Sequence, residues 1–147
     1  MKTKVTTTKK IIGHKELISI IDLELFDLDA KIDTGADGNA LHCDEIKIDE
    51  YNNNLVHFKL LDAVHPSYHD KDMILPLHKL KKIKSSNGQT ELRPSVKLSV
   101  LFMGKKYKTI VSLTNRADMK YPMLIGRRFL NGKFLVDTEF TYLGDKK

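Results

Sequence analysis

The 147-residue chain has no tryptophan, one cysteine (Cys43) and four prolines. A single cysteine excludes an intrachain disulfide and fits a reducing compartment, so a cytoplasmic protein is expected. No segment approaches the roughly 18 consecutive apolar residues of a helical membrane span, and no membrane partner is expected. Met1 to Lys10 carries charge without an apolar stretch behind it, and it reads as a solvated arm rather than a secretory leader. The formal net charge is +6, but the basic residues are scattered and not interleaved with aromatic ones. The base-stacking platform of a nucleic-acid binder is missing, and the charge suits an anionic protein or peptide equally well. A Gly-rich phosphate loop closed by Lys-Ser/Thr and a His-Glu-x-x-His pair are also missing, so no cofactor is expected.

Hydrophobic residues make up 41% of the chain and charged ones 30%, which suffices for one domain with a buried core. That domain is placed over residues 11–143, with a tail at 144–147. From Glu16 to Ile32 the apolar residues form two alternating runs that change face near Leu25 and Phe26. They read as two short strands or one bulged strand. Leu55 to Leu61 is another strand, whereas Asp62 to Leu77, rich in His, Pro and Asp, reads as an excursion or long loop. Leu80 to Ser85 and Thr90 to Arg93 flank Ser86-Asn87-Gly88-Gln89. An Asn-Gly between extended runs signals a hairpin, since both turn positions favour positive φ. Val96, Leu98, Val100 and Phe102 alternate with polar or small residues, and Tyr107 to Leu113 returns after a turn at Met103 to Lys106. Met123 to Ile125 and Phe134 to Val136 are short strands, and Arg127 to Leu130 is a helical turn stopped near Gly132. Short strands at close spacing indicate a mainly β protein, a barrel or a sandwich.

The residues that bear on chemistry begin with Ala30-Lys31-Ile32-Asp33-Thr34-Gly35-Ala36-Asp37, an apolar strand end followed by an Asp on a Gly-containing turn. In isolation, Asp-Thr-Gly is a surface Asx-type turn. Near the C-terminal end, Met123-Leu124-Ile125-Gly126-Arg127 supplies an apolar strand, a Gly and a short helix. Together these segments resemble the retropepsin-like aspartic proteases. Those proteins place an Asp-Thr-Gly-Ala turn first, then a flap hairpin, then an apolar-apolar-Gly-Arg segment beneath the turn. The closest resemblance is to the bacterial branch that carries the name ATP-dependent zinc protease, and it spans roughly Ile12 to Val136.

The resemblance implies a closed β-barrel with one flap hairpin and a short C-terminal helical turn. It implies a homodimeric peptidase in which two Asp33 side chains share a proton, with Thr34 locking the turns together and Gly35 admitting the substrate backbone. Ala36, Asp37, Ile125, Gly126 and Arg127 would support the site, with Asp37 paired to Arg127. Ser86, Asn87, Gly88 and Gln89 would form the flap, and a peptide or protein, acidic in character, would be the substrate. Asp37-Gly38-Asn39 stands where the bacterial branch carries a basic residue and Thr-Ser, and it follows the retroviral pattern instead. The competing reading is a non-catalytic dimerisation or peptide-binding module of the same fold. No metal is expected; His65 and His69, separated by three residues within a loop, are the weak candidates. His42-Cys43 reads as a buried thiol and its neighbour rather than a thiol enzyme.

Overall fold

The computed structural model describes residues 8–61, 66, 68–84, 87–115 and 120–144. Among these residues eleven strands and one short α-helix follow in order. They are β1 (Lys10–Ile12), β2 (Lys15–Ile20), β3 (Leu25–Ile32), β4 (Asn39–Ile48), β5 (Leu55–Leu60), β6 (His69–Pro76) and β7 (Lys79–Lys84). Then come β8 (Thr90–Phe102), β9 (Lys105–Thr114), β10 (Met123–Ile125), α1 (Arg127–Leu130) and β11 (Phe134–Val136). Six strands in the order β10-β3-β2-β8-β9-β4 form a barrel, closed where β4 also pairs with β10. β5 and β6 extend the sheet beyond β4, while β1 and β11 make a separate parallel ribbon.

A 3-10 turn at Ile21–Leu23 separates β2 from β3, and the change of face near Leu25 and Phe26 is a bulge inside β3. Ile18 pairs with Leu28 but Ile20 with Leu25, Asp27 is left-handed with φ of 54°, and Leu25 and Leu28 are both buried. Alternation then decides what is buried. In β8, Val96, Leu98, Val100 and Phe102 face the core, and Lys97 and Leu101 face out. The aromatic centre of the core is contributed by β8, β9, α1 and β11. Phe102 meets Phe129 and Phe134 edge-on at centroid distances of 5.5 and 5.3 Å, and Tyr107 meets Phe129 at 5.1 Å. Edge-to-face pairs of this kind add about 0.5–1.5 kcal/mol each beyond the area they bury.

Two expectations need correction. The Asp62–Leu77 stretch is not a loop throughout, because His69–Pro76 is a strand, antiparallel to β5 from Leu55↔Pro76 to Leu60↔His69. Its side chains are all exposed or half-buried, so the apolar alternation that marks a strand is absent. The ladder to β5 and charges on β5 hold it instead. Lys59 Nζ lies 2.8 Å from Asp70 Oδ1, and His57 Nδ1 lies 2.7 Å from Asp72 Oδ2. Asp62 and His65 fall outside the described residues. The hairpin expected around Asn87-Gly88 is present, with Lys84 paired to Thr90, but only Gly88 takes the positive φ expected of both turn positions, at 87°; Asn87 is not left-handed. Ser85 and Ser86 lie outside the described residues.

A buried carboxylate ties the C-terminal segment to the barrel. Glu16, 1% exposed, accepts the N–H groups of Gly13 (2.7 Å) and Leu143 (2.9 Å) on Oε2 and of Gly144 (3.0 Å) on Oε1. Beside it the Tyr142 hydroxyl donates to Asp29 Oδ1 at 2.7 Å, a bond that with burial pushes the phenol up to about 12. Glu16→Ala would leave these N–H donors without a partner. It is expected to lower the unfolding free energy in urea by about 2–4 kcal/mol and to speed amide exchange at Leu143 and Gly144.

His57 bridges two carboxylates, Asp72 and Asp49, the second at 2.6 Å from Nε2. The bond to Asp72 foremost, then that to Asp49, raises its pKa. Asp49, held first by His57 and then by the amides of Tyr51 and Asn52, titrates below its usual value. The His57 contribution is complete below about pH 6.5 and is lost as pH rises through the raised pKa. That of Asp49 is complete above about pH 4 and is lost as pH falls through the lowered one. The Tm difference between wild type and His57→Gln should therefore be largest between about pH 4 and 6.5 and shrink toward alkaline pH. A difference constant from pH 4 to 9 would show that the bridge does not act through charge.

Candidate active site

β10 lies between two strands that belong to one excursion of the chain. It runs parallel to β3, with Met123↔Ala30 and Ile125↔Ile32, and antiparallel to β4, with Met123↔Leu41 and Leu124↔Ala40. The chain therefore leaves β3 at Asp33, passes round the end of β10 and returns as β4. Since Ile32 is opposite Ile125, Asp33 and Gly126 leave the sheet side by side.

The turn is then fastened bond by bond. The Asp33 N–H donates to the Ile125 carbonyl at 2.8 Å, the Arg127 N–H to Ala36 O at 2.8 Å and the Arg128 N–H to Asp37 O at 3.0 Å. Within the turn, Ala36 N–H donates to Asp33 O at 3.2 Å and Gly35 N–H to Asp33 Oδ1 at 3.0 Å. Locally this is the Asx-type turn that the residues allow by themselves; what distinguishes it is its attachment to β10. Gly126 makes the close approach possible, since a Cβ there would lie 2.4 Å from Gly38 O and 2.8 Å from Ala36 O. The Arg127 guanidinium meets the Asp37 carboxylate, and both groups are more than half exposed. Such a pair adds little stability, but it orients the two side chains across the junction.

Asp33 is half-buried, whereas Thr34 and Gly35 are exposed. Thr34 borders an open groove of about 610 Å³ whose walls include Arg127, Arg128, Leu130, Phe134 and Leu135. Behind the turn, α1 buries Phe129 and Leu130, which seats the Arg127 end of the site on the aromatic cluster. The β7–β8 hairpin projects from the barrel: Thr90 to Pro94 pairs with β7 alone, and β9 joins only from Ser95 onward.

Asn39, passed over in the sequence as one of three residues departing from a pattern, proves to belong to the site. It is 4% exposed, and its Oδ1 accepts the Gly126 N–H at 3.0 Å. A polar residue directly after the turn and opening an apolar run was its only signal, and nothing in that signal distinguishes buried from exposed.

Other candidates lie elsewhere. Cys43 is fully buried, and burial pushes its thiol well above the ordinary range, so it is held protonated and unreactive. His42 is buried beside it in β4. His69 is exposed at the start of β6, and among the described residues no three His, Cys, Asp or Glu side chains gather as metal ligands do.

Comparison with known proteins agrees with this geometry. A family model described as RimB-like, the retropepsin-like aspartic endopeptidase RimB, matches residues 11–147. The chain belongs to this family. Curated relatives of this RimB-like chain include proteins named "Probable alpha-L-glutamate ligase". That of Parasynechococcus marenigrum is 30% identical over 95% of the chain, and that of Shewanella pealeana 31% identical over 94%. The RimB-like chain spans only 30% and 31% of those two proteins. A crystal structure of a Legionella pneumophila protein of unknown function superposes with a TM-score of 0.69 at 28% identity, covering 92% of this chain and 98% of that one. These likenesses carry the retropepsin-like family and not the zinc-protease name.

Gly126→Ala is expected to destabilise the protein by about 1–3 kcal/mol in urea unfolding, because the turn must move to admit the methyl group. Gly38→Ala, where an added Cβ meets nothing within 4 Å, should stay within about 0.5 kcal/mol of wild type. Equal effects at the two positions would sink the close-approach argument.

Proposed function

We propose that the protein is an aspartic peptidase that acts as a homodimer, each copy contributing one Asp33. The observation that carries this reading is the Asp33-Thr34-Gly35 turn, held from behind by backbone bonds to Ile125 and Arg127 and left open in front at Thr34 and Gly35. Two copies related by a two-fold axis would bring these turns face to face. Exposed Ile11 on β1 and Leu135 on β11, at 52% and 43%, offer apolar surface for such a contact.

In the dimer, one Asp33 is ionised and takes a proton from a bound water; the other is protonated and donates to the scissile carbonyl. The pair titrates with two values that belong to both groups together. Thr34 locks the two turns, and Gly35 lets the substrate backbone approach. The β7–β8 hairpin, with Asn87, Gly88 and Gln89 at its tip, serves as a flap that excludes water. Acidic peptides fit the net charge of +6, and the ligase names of the relatives point toward glutamate-containing chains. The buried, protonated Cys43 suits the cytoplasm.

A second reading has its own observation. The chain aligns with under a third of proteins named as ligases, which suits a module that binds peptide or dimerises without cleaving. The test is hydrolysis of a mixed peptide library, including glutamate-rich peptides, from pH 4 to 8. Wild type should cleave and Asp33→Asn should lose at least about a thousandfold in rate, with no effect of a chelator. Sedimentation should show a dimer for both. Cleavage that survives Asp33→Asn and dies with chelator would overturn the reading, and peptide binding without cleavage at any pH would establish the module.

A further inference from the structure

Four successive residues, 125–128, are fastened to the turn that carries Asp33. Three of the bonds are between backbone groups, at Ile125, Arg127 and Arg128. The fourth, at Gly126, is made by the side chain of Asn39. The same side chain reaches across to β9, where Nδ2 donates to Thr109 Oγ1 at 3.0 Å and to the Ile110 carbonyl at 3.3 Å. A carbonyl only accepts and a backbone N–H only donates, so both ends of the amide are assigned: Nδ2 toward β9 and Oδ1 toward Gly126. One buried amide therefore links the exit of the turn, the end of β10 and β9.

We infer that Asn39 is a positioning residue for Asp33. The peptide unit joining Ile125 to Gly126 is a rigid plane. Its carbonyl accepts the Asp33 N–H, and its N–H is held by Asn39. Release of one end lets the plane rotate and withdraws the acceptor from Asp33 at the other. Asn39 does not touch a substrate; it acts through that plane. Its catalytic consequence rests on the peptidase reading above, whereas its structural consequence does not.

The test measures amide exchange at Asp33 and Gly126 in wild type, Asn39→Ala, Asn39→Asp and Thr109→Val, with kcat and KM taken on the same samples. Asn39→Ala should speed exchange at both amides by about tenfold or more while Val100 in the core is unmoved. It should lower kcat by about ten- to a hundredfold with KM within about twofold, as expected when a reacting group is misplaced but the cleft is intact. Asn39→Asp keeps an acceptor for Gly126 but loses the donor to the Ile110 carbonyl, so it should restore protection at both amides and kcat in part, above the Asn39→Ala level. If Asn39→Ala does not fold, Thr109→Val decides, with exchange at Gly126 and Asp33 rising together by about threefold.

Faster exchange at Gly126 alone, with Asp33 unchanged, would overturn the inference and leave Asn39 as an anchor of β10 only. Unchanged kcat with both amides loosened would overturn its catalytic part. If wild type cleaves nothing, the peptidase reading fails, and the Asp33 amide still decides whether Asn39 positions it.

Discussion

The structure depends on one strand of three residues. Among the described residues β10 is the only neighbour that β3 and β4 share, so its insertion between them closes the barrel and also fixes the turn that joins them. A strand held on both sides cannot slip in register without breaking two ladders, one parallel and one antiparallel. The residues that follow each strand end, Asp33 and Gly126, inherit that register. Barrel closure and assembly of the candidate site are thus the same event, and an Asp on an exposed turn acquires a fixed place.

The site is rigid on one side and free on the other. Beneath it, α1 is too short to be stable by helix propensity, as a helix of one turn has a costly nucleus and few bonds to repay it. It persists because Phe129 and Leu130 are buried, Phe129 against rings from β8, β9 and β11, and because Lys133 Nζ donates to the Phe129 carbonyl at 2.8 Å. In front, the hairpin loses its β9 partner before Pro94, so its outer half is held by one ladder. On the proposed peptidase reading, a preorganised floor and a hairpin held from one side would suit a cleft that receives an extended chain.

Much of this was legible in the sequence, for reasons that also explain the rest. The alternation in β8 is visible because one face is apolar throughout, and the Asp-Thr-Gly and Leu-Ile-Gly-Arg segments are unusual enough to be recognised together. β4 and β6 were hidden because polar residues occupy their sequences, and their strand character comes from neighbours. Glu16 was readable in principle: it is in phase with Ile18 and Ile20, which face the core. A carboxylate at an inward position requires buried donors, but the donors at Leu143 and Gly144 are distant in sequence, and no local pattern announces them. Asn39 is hidden in the same way, because its partners come from β9 and β10.

A barrel has no edges, yet this one carries an appendage that does. Among the described residues β6 ends the sheet, with one row of backbone groups beyond its ladder to β5. Such a row is a template on which other chains can add as strands and aggregate. Here the row opens with His69-Asp70-Lys71-Asp72 and closes at Pro76, so an incoming strand would meet charges of both signs and then a residue without an N–H. Lys59 and His57 on β5 hold Asp70 and Asp72 in place. The charges that made this segment look like a loop are those that keep its open edge from recruiting another copy.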